Sequence, residues 1–423
     1  MEARPLTRLD LTAIGVNAVI GSSIFLFPGK LAALLGPASI AAFLLTALLL
    51  APVALCFAEA SSTRDRAGGP SLYAQEAFGP RAGFSIGWLC WVTEVVSFAA
   101  VASGLATYTS PFWPGLQGPW ASKAVAAGAI LTLGAVNLRG AKPGARISTT
   151  LTIAKLMPLI AVALAGLPLV LKGGLIPFAP HGWGGLSRGC FLAYFAFQGF
   201  EVVPVPAGEV NDPRRNAPFA VLTALGLAAV LYAFVQAVAV ASVPHLADSS
   251  RPLADAGLAL FGPLGERLVT VGALVSMLGF ISGCALGGPR YLVALAEEGH
   301  LPTAFGRRAA GTGAPTTAVA STTIAALCAA LALNFDTLID FTNVIIGAQY
   351  LVTCAAVLVE RRRGRVPGFR APGGPLIPLA GMAATLWLSA QGGWLQLSAA
   401  AVVLAVGFGL SSLLTQRTIL KDS

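Results

Sequence analysis

Three ionisable side chains stand deep inside apolar runs of this 423-residue sequence: Glu94, Lys155 and Glu201. Near the centre of a bilayer each would cost about 2.5–3.5 kcal/mol on insertion scales, so each is a functional candidate before any fold is drawn. Lys155 follows Arg146 by nine residues. At about 1.5 Å per residue it lies roughly 14 Å along a helix, too deep to reach an interface. An ammonium so placed has to pair, bond to carbonyls, or release its proton. Glu94 can receive a guanidinium or ammonium, act as a protonated acid bonded within a bundle, or offset Lys155. Glu59, Asp340 and Glu360 stand nearer the ends of their runs, where their carboxylates are expected to reach the interface.

The elements that must position these groups are themselves unusual. The run from Ile14 to Leu35 carries Gly21-Ser22-Ser23 and Pro28 inside it, the residues least suited to a helix interior, where hydrocarbon leaves freed backbone groups unsatisfied. A half-helix ending at Gly21 offers bare carbonyls, and one starting near Ile24 offers bare amides. Cation-seeking and anion-seeking ends so close together suit a zwitterion. A second interruption, Phe195-Ala196-Phe197-Gln198-Gly199-Phe200-Glu201, follows five spans later. There Glu201 is expected to accept from exposed amides and lock the bend. Breaks in corresponding positions of two five-span halves point to an inverted repeat with its site at the midplane.

Composition agrees with lipid as solvent. The chain is 56% hydrophobic and 11% charged, with a mean hydropathy of +0.77, against about 25% charged residues in soluble domains. Twelve apolar runs are expected as spans, at about 10–35, 38–60, 82–109, 121–138, 147–171, 187–206, 217–243, 264–296, 315–334, 338–359, 374–390 and 394–414, each long enough to cross. No cleavable signal is read in the first run, which Arg4 and Arg8 precede. Alternate loops are basic: Arg64, Arg66 and Arg81; Arg139, Lys142 and Arg146; Arg214 and Arg215; Arg307 and Arg308; Arg361, Arg362, Arg363 and Arg365. This asymmetry makes the net charge of +9 a matter of topology and not of nucleic acid, and sets both termini in the cytoplasm of a cell with the protein in its inner membrane. The whole chain, 1–423, reads as one membrane transport domain.

Six cysteines fall inside apolar runs without Cys-x-x-Cys spacing, and His181, His245 and His300 fall in loops. They read as small buried thiols and solvated imidazoles, with no metal site or cofactor. With no nucleophile and base pair either, an enzyme is disfavoured, and with no signalling domain so is a receptor.

Several stretches together resemble the amino acid–polyamine–organocation permeases over essentially the whole chain. They are Gly21-Ser22-Ser23-Ile24-Phe25 with Pro28; Ala58-Glu59 with Ala67-Gly68-Gly69-Pro70 and Glu76-Ala77-Phe78-Gly79-Pro80; Asn137-Leu138-Arg139-Gly140; Ala196-Phe197-Gln198-Gly199-Phe200-Glu201 with Gly208-Glu209-Val210 and Asn211-Asp212-Pro213-Arg214-Arg215-Asn216; and Ala294-Leu295-Ala296-Glu297-Glu298-Gly299-His300-Leu301-Pro302. The resemblance implies an all-α integral membrane fold of twelve transmembrane helices. Two inverted five-helix repeats, about 10–171 and 187–359, form a leucine-transporter-like core, with two extra helices at about 374–414. It also implies secondary transport of amino acids or related amines by alternating access.

The resemblance further implies that Gly21, Ser22 and Ser23 bind the substrate carboxylate. Ser23 departs from the family's glycine and either narrows the pocket or adds a donor. The ammonium would meet carbonyls of Val19, Ile20, Phe195 and Gln198 beside Gly199, with Phe195 as an aromatic gate. Glu94 would line the side-chain subsite. Lys155 would occupy the place of sodium in sodium-coupled relatives, bonded to carbonyls near Asn17 and Ile20 and to the Ser282 hydroxyl. Proton-coupled uptake and obligate exchange both accommodate that lysine. The last two helices are left either to pack a second copy or to face lipid.

Overall fold

The computed structural model describes residues 7–63, 69–110, 112–113, 115, 118–140, 145–203, 210 and 212–419; in 145–154, 213 and 410–419 only the backbone is described. Arg4, Arg64, Arg66, Ala67, Gly68, Lys142, Gly208, Glu209 and Asn211, named above in loops and motifs, lie outside the described residues.

The fold is all-α. The first apolar run divides into α1 (Arg8–Val19) and α2 (Ser23–Leu35), and a 3-10 turn leads on to α3 (Ser39–Ser62). The helix α4 (Gly69–Phe78) precedes α5 (Pro80–Thr109), α6 (Pro119–Leu138) and α7 (Ala145–Leu171). The second half repeats the interruption: α8 (Leu186–Ala196) stops, and a 3-10 turn covers Phe200–Val202. Then come α9 (Pro213–Ser242), α10 (Pro252–Glu297), α11 (Thr316–Ala332), α12 (Phe335–Arg362), α13 (Leu376–Ser389) and α14 (Trp394–Ile419). Within α10 the backbone kinks at Gly262, which has φ +69°.

Among the described residues, six stretches are long and apolar enough to cross a membrane, or up to seven if α13 and α14, bent by 119° at their break, are one span. The count falls below the expected twelve because α1 and α8 are short, α2 runs on into α3 as the single stretch Ser23–Ser62, α11 offers only a short apolar stretch, and only Lys155–Leu171 of α7 enters the count. Leu131, Leu164, Leu268 and Ile324 stand exposed on helix faces, as lipid contact requires, while Trp113, Trp120 and Trp394 are exposed near helix ends. These features make the chain a multi-pass membrane protein.

Local chemistry explains the ends. Thr7 accepts from the Asp10 amide at 3.2 Å and its own amide donates to Asp10 at 2.9 Å, a reciprocal cap for α1. Asn334 caps α12 by accepting from the Thr337 amide at 2.8 Å. The helices gather in two packs. In one, α9 lies against α1, α3 and α7; in the other, α5 lies against α6, α10 and α11. Helix α12 bridges them, touching α3, α5 and α8.

The candidate substrate site at two broken helices

The two breaks meet. Gly199 has φ +121°, and a Cβ built there would lie 2.5 Å from the carbonyl carbon and oxygen of Ala18 and 2.8 Å from the Val19 nitrogen. Only glycine permits both that backbone and that approach. The second break therefore rests directly on the last turn of α1.

At the first break the Gly21 amide turns back to the Val19 carbonyl (2.8 Å) and the Phe25 amide to the Ser22 carbonyl (3.0 Å). No side chain caps the start of α2. The amides of Ser22, Ser23 and Ile24 have no hydrogen-bond partner among the described residues. They form the positive end of a helix, aimed where an anion would sit. The four carbonyls expected to face an ammonium divide into two kinds. Val19 accepts from the Tyr232 hydroxyl at 2.7 Å and Phe195 accepts from the Gln198 amide at 3.3 Å. The carbonyls of Ile20 and Gln198 are without a partner among the described residues.

Tyr232 of α9 is a residue that the sequence reading missed. Its buried hydroxyl lies 2.7 Å from the Val19 carbonyl and 3.0 Å from that of Ala196, the ends of both half-helices. No local pattern distinguishes it from the other buried aromatics; only the fold brings it to both breaks. The Gln198 side chain donates to Asn343 Oδ1 (2.6 Å), and Asn343 Nδ2 donates to the Phe191 carbonyl (2.6 Å), tying the second break to α12. Glu201 takes the bend-locking place expected of it: both its oxygens accept from the Gly199 amide (2.9 and 2.8 Å), and Tyr350 donates to Oε2 (2.8 Å).

Phe195 is buried, its ring centroid 5.9 Å from that of Phe27, which lies 6.3 Å from Phe335. An aromatic layer thus joins α8, α2 and the start of α12. Above it Lys30 pairs with Asp336, and Arg188 meets Asp340 through two bonds of 3.0 and 2.8 Å.

Lys155 is buried and donates to the Asn17 carbonyl at 2.6 Å. The other expected partners differ: neither the Ile20 carbonyl nor the Ser282 hydroxyl bonds to it. Helix α10 reaches the first break through Ser276 instead, which donates to the Gly21 carbonyl at 3.2 Å, and through Phe280, which packs on Gly21. Ser282 is six residues farther along, more than a turn and a half, and so lies on another face of the helix. Glu94 is half-buried, its carboxyl facing Gly287 of α10. It forms no ion pair among the described residues, so it does not offset Lys155. Beside it Gln349 donates to Thr93 at 2.8 Å.

Glu59 is closed off from solvent by the protein itself. It is 3% exposed and bidentate with Arg361 (2.7 and 2.5 Å), while accepting from the Ala371 amide at 2.8 Å. Asp340 and Glu360 are buried as well. The segment after α12 folds back over α3, so Glu59 and Glu360 meet arginines there, while Asp340, near the start of α12, meets Arg188 of α8. Outside the spans, Glu76 beside Arg365 raises that guanidinium's pKa further above its ordinary value.

Residues 6–412 match the model of the family described as amino acid permease. The chain is 28% identical over 403 residues to a methylthioribose transporter of Bacillus subtilis (strain 168), covering 91% of this chain and 87% of the relative. It is 29% identical over 420 residues to the branched-chain amino acid permease BcaP of Lactococcus lactis subsp. cremoris (strain MG1363), covering 90% and 88%. A vacuolar cationic amino acid transporter 4 of Arabidopsis thaliana is 27% identical over 382 residues, which cover 84% of this chain and 63% of that longer protein. With nearly its whole length matched and the two interrupted helices in place, the chain belongs to the amino acid permease family of the amino acid–polyamine–organocation superfamily.

Proposed function

We propose that the chain is a secondary transporter of amino acids that works by alternating access from the meeting point of the two breaks. The observation that carries this reading is the contact of Gly199 with the Ala18–Val19 peptide. It puts the unpartnered amides of Ser22, Ser23 and Ile24 and the unpartnered carbonyls of Ile20 and Gln198 at one locus. The amides suit a carboxylate and the carbonyls an ammonium. In this reading there are twelve crossings, the two broken spans each counting once. Repeats of five helices cover about 10–171 and 187–359, and the arginine-rich loops and both termini face the cytoplasm.

Coupling is assigned to the proton, carried by Lys155. Its ammonium braces the last turn of α1 through Asn17, and loss of the proton releases that brace. A proton shifts the balance of facing states only if it binds them unequally. A fixed brace in an obligate exchanger is the second reading; it is favoured by the same bond, whose geometry is complete without any proton transfer. The names of the relatives span methylthioribose, branched-chain and cationic amino acids. Within this chain the carboxyl of Glu94, which neighbours the Cys284 thiol and has no ion-pair partner among the described residues, favours a cationic side chain and Ser23 a small one. The deciding experiment is uptake into proteoliposomes under an imposed pH step, compared with uptake into vesicles preloaded with unlabelled substrate. Ligands come first from a thermal-shift screen against amino acids and polyamines, since stabilisation follows ln(1 + [L]/Kd). Accumulation that follows the pH step supports symport; accumulation that needs only preloading supports exchange.

A further inference from the structure

Five of the six cysteines are buried, and the transport cycle proposed above uses none of them. The fold nevertheless brings two together from opposite ends of the chain. Cys56 of α3 and Cys354 of α12 are fully buried, and they lie between two contacts that join the same pair of helices, the Phe57–Tyr350 ring pair at 5.5 Å and the Glu59–Arg361 ion pair. A Cβ built at Gly381 of α13 would lie 2.9 Å from Cys354 Sγ and 3.4 Å from the Val53 nitrogen of α3. The sulfur therefore sits where three helices join, under a position that only a glycine leaves open.

A second feature marks the same place. The Tyr194 hydroxyl of α8 is buried and has no partner among the described residues. Its ring lies 5.8 Å from that of Tyr350, which stands one turn before Cys354 on α12. An orphaned hydroxyl in an apolar interior costs free energy until something polar occupies the space beside it. Toward the arginine-rich end, the Glu59–Arg361 pair closes the junction.

A single buried thiol is inert, but two in contact have a chemistry that one lacks. We propose that Cys56 and Cys354 form a dithiol site for thiophilic ligands that offer two bonding positions on one atom, with organic trivalent arsenicals as the class. The step is a condensation. Two As–S bonds form, the As=O and both S–H bonds break, the oxygen leaves as water with both thiol protons, and no oxidation state changes. The product carries no charge, which suits a low-dielectric interior, and the Tyr194 hydroxyl supplies a polar contact at its edge. Occupation links α3 to α12 covalently between the second break and the Glu59–Arg361 pair. The proposal does not depend on the substrate or on the coupling ion.

The test uses the full-length purified protein and phenylarsine oxide, an apolar reagent able to enter from the bilayer. Intact mass is expected to show one adduct per chain that survives excess 2-mercaptoethanol and is removed by dithiothreitol, with a higher thermal midpoint while it is bound. Cys56→Ser and Cys354→Ser are each expected to lose the thiol-resistant adduct, and Cys190→Ser to keep it. An absent adduct on the unmodified protein, one that 2-mercaptoethanol strips, or one that persists in Cys56→Ser or Cys354→Ser overturns the assignment. Because stripping by monothiol is read on the unmodified chain, the test does not depend on either variant folding.

Discussion

Replacing Gly199 by alanine tests whether the meeting of the two breaks is what makes the site. The added methyl would lie 2.5 Å from Ala18 and 2.8 Å from the Val19 nitrogen, where ordinary contact begins near 3.4 Å. Either α1 retreats by about 1 Å or Gly199 leaves its φ of +121°. The left-handed backbone adds roughly 1–2 kcal/mol of strain for a residue with a Cβ, and forced overpacking about 1–3 kcal/mol. The total of roughly 2–5 kcal/mol falls on the meeting point of the two breaks, which carry the unpartnered amides and carbonyls. Binding is expected to weaken at least about 30-fold, since about 1.4 kcal/mol is a factor of ten. The assay is Kd for the best ligand of the thermal-shift screen, with the midpoint of the ligand-free protein measured in parallel. The control is Gly226→Ala on the exposed face of α9, where a Cβ meets nothing within 4 Å and alanine is favoured by about 1 kcal/mol in helix propensity. If Gly199→Ala binds as tightly as the unmodified protein while Gly226→Ala behaves as a neutral change, the breaks do not form one site and the reasoning fails.

Four further outcomes are expected. Ser22 has φ −76°, which proline adopts without strain, so Ser22→Pro should remove one free amide and abolish binding while the protein stays monodisperse in detergent; Gly21→Leu, driven into Phe280, should do the same, and an unchanged Kd in both would discard the carboxylate site. Glu94→Gln should weaken arginine, lysine or ornithine more than alanine, by roughly 1.5–3 kcal/mol for a charged hydrogen bond; equal loss for all ligands in titration calorimetry would give Glu94 a role in folding or coupling. Lys155→Ala should abolish pH-driven accumulation in proteoliposomes and spare counterflow, whereas loss of both together would make the lysine a structural brace. Glu59→Gln removes the counter-charge of the half-buried Arg361 guanidinium, which keeps the Ala371 and Gly374 carbonyls, and should cost about 1.5–3 kcal/mol for the charged hydrogen bonds, read as a fall in thermal midpoint; a midpoint unmoved by the change would mean that the pair is not stabilising.

What the sequence determined by itself is local. Helix breaks at Gly21 and Gly199 follow from propensity over a few residues, and both occur where the composition places them. The depth of Lys155 follows from counting rise per residue, and its bond to Asn17 falls one turn before the first break. The membrane class follows from the scarcity of charge. The partners were decided only in three dimensions. Tyr232 reaches Val19 across 213 residues and Arg361 reaches Glu59 across 302; no periodicity within either helix records such a pairing. Ser276 rather than Ser282 touches the first break because the rotation of α10 about its axis is set by packing against α5 and α7. For the same reason two thiols that the sequence leaves as separate small hydrophobes become neighbours: helix faces are written in the sequence, but which face meets which is chosen by the packing of whole helices.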